Sequence, residues 1–171
     1  CDTCFNKSFA SCKNSKSWSN KNKLNPRQLF KTSNEKYFFK CNICHHEHTS
    51  TLTVKSNKKR NGTGCPYCSS PPKLLCDEKN CKLCFNKSFA SNDKSKFWSD
   101  INILKPRNVF LTSNKKILFN CNKCDHKFES TPSHIISMNR WCPYCSNQKL
   151  CDNDKCVDCF EKSFKCNDKS K

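Results

Sequence analysis

The stretch Cys121-Asn122-Lys123-Cys124, followed by a polar and aromatic run with His126, Phe128 and Trp141 and closed by Cys142-Pro143-Tyr144-Cys145, decides the fold. Two Cys-x-x-Cys pairs at this separation supply the four thiolates of a tetrahedral zinc ion, because each short turn brings two sulfurs to one side of the metal. The same arrangement stands earlier as Cys41, Cys44, Cys65 and Cys68, again with a Pro-Tyr dipeptide, Pro66-Tyr67, inside the second pair. A quartet that occurs twice in one chain is not an accident of composition.

The 171 residues include 18 Cys, 32 Lys and Arg against 14 Asp and Glu, and only 35% hydrophobic residues. A chain this polar cannot hold one large core by apolar burial alone, so zinc or disulfides must contribute. Repeated close pairs, with no secretory signal, favour zinc in a reducing compartment over a disulfide framework. No apolar run approaches membrane-spanning length, so a soluble chain is expected. The sequence opens on Cys1 rather than Met, which reads as a piece of a longer polypeptide.

Outward from the quartets, the chain is a tandem repeat. Cys4-Phe5-Asn6-Lys7-Ser8-Phe9-Ala10-Ser11 returns unchanged at Cys84 to Ser91, and with substitutions at Cys159-Phe160-Glu161-Lys162-Ser163-Phe164. Spacings of 80 and 75 residues make the unit a small domain rather than a solenoid turn. Three segments follow: residues 1–75, a first repeat whose opening is incomplete; 76–150, a complete second repeat; and 151–171, the start of a third.

Within a repeat the signals are short. Tyr37-Phe38-Phe39 and Ile117-Leu118-Phe119 have strand character, and His126 to Ser130 alternates as a second strand, which predicts a hairpin turning at the first Cys pair. Thr131-Pro132 predicts a helix start, with a capping hydroxyl and proline at the first position, and a helix over Ser133 to Met138; Thr51 takes the cap role in the first repeat. Gly62 and Gly64 supply the exit there, and a second short helix or turn is expected at Pro26 and at Pro106. The fold class is therefore small α+β, built of zinc-stapled tandem repeats, each a knuckle hairpin plus short helix with little hydrophobic core.

The pattern Trp98, Pro106, Val109, Ser113-Asn114-Lys115-Lys116, Phe119, Cys121-x-x-Cys124-x-His126, Ser130, Trp141-Cys142-Pro143-Tyr144-Cys145 resembles the zinc-ribbon or treble-clef-like repeat found in bacterial proteins and in giant DNA viruses of amoebae. The Lys- and Asn-rich composition is similar to that of the giant-virus members. The resemblance implies a zinc-bound domain associated with nucleic acid and no established activity, with the metal ligands as its only functional residues. For a viral member the compartment would be the virus factory or the virion; otherwise it is the cytoplasm or nucleus.

An extra cysteine cluster departs from the family pattern: Cys76-x4-Cys81-x2-Cys84 and Cys151-x4-Cys156-x2-Cys159. Three thiolates at this spacing suggest a second zinc site that needs a fourth ligand. Cys166 is expected to complete the set in the third repeat, and Cys12 to do so in the first with Cys1, Cys4 and a counterpart of Cys76 expected upstream of residue 1. The second repeat has Ser91 and Asn92 at the corresponding places, leaving Asp93, a histidine or water. On the competing reading Cys12 and Cys166 are ordinary free cysteines. Two to five zinc ions per chain are expected in all.

Other readings weaken on inspection. Cys-Pro-Tyr-Cys occurs in redox enzymes, but that chemistry needs the first thiol at a helix start in a βαβ fold, and here each copy is matched to another pair. His45-His46 beside a knuckle hints at a nuclease, yet no further set of acidic or histidine ligands repeats. No enzyme is expected. His46 and His126 are read as structural, bonding a knuckle carbonyl or sulfur, and Trp18, Trp98 and Trp141 as core.

A formal net charge of +18 remains as the clue to function. Five filled zinc sites would lower it to about +8, since four thiolates around zinc carry about −2. The expected nucleic-acid contacts are Lys55, Lys58, Lys59 and Arg60 before Cys65, Arg140 in the matching loop, Lys115 and Lys116 before a strand, and Arg27 and Arg107. Contact with phosphates rather than base edges, on DNA or RNA, is the low-specificity reading. A structural or protein-interaction component, such as a virion scaffold docking onto acidic protein, is the alternative.

Overall fold

The computed structural model describes residues 1–57, 64–138 and 140–164. By internal contacts the chain divides into two compact units, Cys1–Leu74 and Leu75–Lys171. Each carries one antiparallel hairpin: β1 (Lys36–Lys40) with β2 (Glu47–Thr51), and β3 (Ile117–Asn120) with β4 (Lys127–Ser130). The register pairs Phe39 with His48 and Phe119 with Phe128, so these side chains share the inner face. Both hairpins turn at the first Cys pair, where Cys41 and Cys121 N–H donate to the carbonyls of His46 and His126 at 2.9 and 2.8 Å. His45 (φ 58°) and Asp125 (φ 52°) provide the left-handed residue that closes this turn, a conformation His and Asp tolerate better than most side chains.

After each hairpin a threonine starts a helix, as the sequence predicts. The Thr131 hydroxyl accepts from His134 N–H at 3.2 Å ahead of α4 (Pro132–Ser137), and Thr51 accepts from Val54 N–H at 3.3 Å ahead of α2 (Leu52–Ser56). The prolines at Pro26 and Pro106 open single 3-10 turns, Pro26–Gln28 and Pro106–Asn108, rather than full helices. Gly64 leaves open space around its α-carbon, and Gly62 lies outside the described residues.

Sequence reading missed three short helices at the opening of the repeats: α1 (Asp2–Lys7), α3 (Lys82–Lys87) and α5 (Val157–Glu161). Each begins at the cysteine cluster, and α1 and α3 are followed by a 3-10 turn that plunges Phe9 or Phe89 into the interior. Among the described residues no helix is long and apolar enough to cross a membrane.

The cores are small and aromatic. Phe9, Trp18 and Phe39 pack in one unit with ring centroids 5.5 to 5.8 Å apart; Phe89, Trp98 and Phe119 repeat the cluster at 5.4 to 5.6 Å in the other. The tryptophans are thus core, with indole N–H groups donating to Leu24 and Leu104 carbonyls. One asparagine per unit satisfies the outer edge of the hairpin: Asn22 brackets Phe38, and Asn102 brackets Leu118, each donating to the carbonyl at 2.7 Å and accepting from the amide. A sheet edge of two strands would otherwise present these groups to water or to another chain.

Candidate metal centres

Each hairpin turn brings two thiols to one place, and the turn after α2 or α4 brings two more. In the first unit Cys41 and Cys68 sulfurs lie 3.6 Å apart, and Cys44 and Cys65 sulfurs 3.5 Å. In the second, Cys121 lies 3.6 Å from Cys145, and Cys124 lies 3.6 Å from Cys142 and 3.3 Å from Cys145. All ligand atoms of each quartet fall within 4.8 Å of one another. A disulfide would bring two sulfurs to about 2 Å. A zinc ion with bonds of about 2.3 Å sets tetrahedral sulfurs about 3.8 Å apart, so the spacing fits the metal. The close pairing also runs between the two Cys-x-x-Cys segments, which suits metal binding and not a redox couple inside Cys-Pro-Tyr-Cys.

The thiols show why a cation is needed. Burial pushes Cys41 and Cys121 up, but backbone N–H groups of the knuckle and the adjacent thiols outweigh it and bring both down to about 7. Burial, reinforced by neighbouring sulfurs, holds Cys142 up at about 11 and raises Cys44, Cys68 and Cys145. One thiolate in the quartet thus opposes the next, and a divalent ion reverses that conflict by stabilising all four as thiolates.

A third set lies within the second unit: His126, Cys151, Cys156 and Cys159, again with ligand atoms within 4.8 Å. His126 Nε2 stands 3.4 Å from the sulfurs of both Cys156 and Cys159. The histidine read as bonding its own knuckle therefore meets cysteines of the following repeat. Cys166, the expected fourth ligand there, lies outside the described residues. The triad Cys76, Cys81 and Cys84 has the same local build, with Cys76 N–H donating to Cys84 sulfur at 3.4 Å, as Cys151 N–H does to Cys159. In the sequence His46 stands to Cys76, Cys81 and Cys84 as His126 stands to Cys151, Cys156 and Cys159. His46 stacks on Tyr67 at 4.4 Å and His126 on Tyr144 at 4.2 Å, both with 17° between the rings.

Four expected ligands are not gathered. Cys12 packs beside Phe9, Phe39 and Leu52 and joins no metal group among the described residues, because its segment turns inward with the core. Cys1 and Cys4 are exposed and also join none. Asp93 is exposed at the start of a 3-10 turn and belongs to no such group either.

The expected basic contacts divide. Lys55 is a correction: it is only 6% exposed, with its ammonium 5.3 Å over the Phe39 ring, since it occupies the inner face of α2. Arg27 is engaged with α1, reaching Cys1 carbonyl at 3.2 Å and lying over Phe5, and Arg107 reaches Glu78 carbonyl at 3.2 Å and Cys76 sulfur at 3.8 Å. Lys116 pairs with Glu129 at 3.8 Å. Lys115 and Arg140 are exposed, and Lys58, Lys59 and Arg60 lie outside the described residues. The sequence reading passed over the outer face of β1, where exposed Lys36, Phe38 and Lys40 line up; the alternation Lys-x-Phe-x-Lys was the signal.

Comparison with known proteins agrees with the ligand geometry. An uncharacterized protein of Acanthamoeba polyphaga mimivirus is 39% identical over 168 residues, covering 96% of this chain. The chain spans 40% of the length of that relative. The family model described as "Probable Treble clef zinc finger domain" matches residues 15–71 and 95–148, the two segments that carry the four-cysteine quartets. On that match, the chain belongs to the treble clef zinc finger family.

Proposed function

We propose that the chain is a tandem zinc-finger array that binds nucleic acid through its phosphates, with low sequence specificity and without catalysis. The observation that carries this reading is the solvent face of β1. Lys36, Phe38 and Lys40 project to one side, with Phe38 42% exposed between two ammonium groups. Two cations spaced along a strand track a phosphate backbone, and an exposed ring between them offers a stacking surface for an unpaired base.

The charge balance supports the same reading. The chain carries 32 basic residues against 14 acidic ones, and ion pairs such as Lys21 with Glu47 and Lys116 with Glu129 use a basic and an acidic residue each, which leaves basic residues in excess. All but four of the basic residues are lysines, the arginines being Arg27, Arg60, Arg107 and Arg140. Lysine acts on phosphate as a point charge, whereas base-edge readout favours the bidentate fork of arginine. Low specificity follows from that composition.

The test is fluorescence anisotropy of the full chain with unrelated single- and double-stranded oligonucleotides over a range of salt. Replacing Lys36 and Lys40 by Ala should reduce the salt slope by about two units, similarly for every sequence. Phe38→Ala should weaken single-strand binding by about 1–3 kcal/mol and leave duplex binding nearly unchanged. No measurable binding by the unaltered chain at low salt would favour a structural or protein-docking component.

A further inference from the structure

We propose that His126, Cys151, Cys156 and Cys159 form a second kind of zinc site, with three thiolates and one imidazole, and that it fastens one repeat to the next. Its three cysteines lie beyond residue 148, where the family match ends, and His126 is not one of the quartet's four cysteines, so the quartet does not account for the set. Its four ligand atoms lie within 4.8 Å of one another, and His126 Nε2 is 3.4 Å from two of the sulfurs. Zinc bonds of about 2.0 Å to nitrogen and 2.3 Å to sulfur place a tetrahedral nitrogen about 3.5 Å from each sulfur.

The ligands come from different repeats. His126 sits two residues past Cys124 in the β3–β4 turn, while the cysteines flank and begin α5, the opening element of the repeat that follows. The imidazole is oriented by stacking on Tyr144, which lies between Cys142 and Cys145 of the quartet, and Lys162 Nζ returns from beyond α5 to donate to Tyr144 carbonyl at 3.0 Å. The first zinc site therefore positions the histidine for the second.

Apolar packing cannot do this work. Among the described residues of this opening, Val157 is 66% exposed, Phe160 49% and Phe164 88%, and Cys159 is the buried one. A five-residue helix is unstable alone, so a metal bond is what remains to order it. The sequence repeats the four residue types in the same order at His46, Cys76, Cys81 and Cys84.

The test uses the full chain loaded with zinc, counted by native mass spectrometry, with limited proteolysis reporting on residues 146–155. His126→Ala should lose one zinc and be cleaved faster in that segment. His126→Cys should keep the full count and the protection, and its cobalt-substituted form should show a visible spectrum shifted toward that of a four-sulfur site. An unchanged zinc count in His126→Ala, loss of zinc without faster cleavage, or failure of His126→Cys to restore both would overturn the proposal. So would loss of that zinc from Cys166→Ser.

Discussion

The two units solve one structural problem with different interiors. Around Phe119 the second unit packs Phe128, Ile135 and Trp141, with Phe128 and Trp141 rings 4.9 Å apart. At the matching repeat positions around Phe39 the first unit has His48, Lys55 and Gly64. A lysine ammonium thus covers a ring where the other repeat uses isoleucine, and burial holds that ammonium's pKa down. Yet the hairpin, the capped helix and the sulfur spacing of the quartet are the same in both. The metal site fixes the fold, and the apolar contacts around it are free to drift.

If so, ligand changes should matter far more than core changes. Cys142→Ser should unfold the second unit's finger much as chelation does, because structural zinc contributes about 10 kcal/mol or more to folding. Retained proteolytic resistance in this variant would show the zinc to be dispensable. Next in size is Trp141→Gly, which gives the second unit the residue of the first. Its denaturation midpoint should drop by the equivalent of about 3–5 kcal/mol while its zinc count stays the same. Loss of zinc with the tryptophan would mean that the core, not the metal, sets the geometry.

What the sequence disclosed follows the range of each interaction. The quartets were legible because each ligand pair is local and the two pairs repeat, and Thr51 and Thr131 were legible because a cap acts within three residues. The role of His126 was not, since its partners Cys156 and Cys159 are 30 and 33 residues away and meet it only once both repeats are folded. Lys55 misled because a lysine reads as surface; only its alignment with Ile135 marks it as an inward position. The helices at the cysteine triads are too short for apolar periodicity to appear.

A smaller effect should be equal in the two units. Asn22→Ala and Asn102→Ala each remove two hydrogen bonds to a hairpin edge, and each should cost about 1–3 kcal/mol in its own unit. Unequal costs would show that the differing cores reach as far as the edge.

A pH dependence should separate the first unit from the second. Burial, with the nearby Lys55 charge adding to it, pushes His48 down to about 4, against about 6.5 when unfolded. The folded state therefore binds this proton more weakly. The stability that follows is fully present above about pH 6.5 and is lost as pH falls toward 4. His48→Phe should flatten that loss in the first unit and make its acid unfolding resemble the second's. Unaltered acid sensitivity would assign it to zinc release alone.

Zinc counting on the intact chain tests the central claim most directly. Native mass spectrometry should find four zinc ions: one in each quartet, one at His126 with Cys151, Cys156 and Cys159, and one at the Cys76, Cys81 and Cys84 triad. Chelation should unfold both units together despite their different cores. Intact disulfides without metal, or fingers that stay folded after all zinc is removed, would contradict the account.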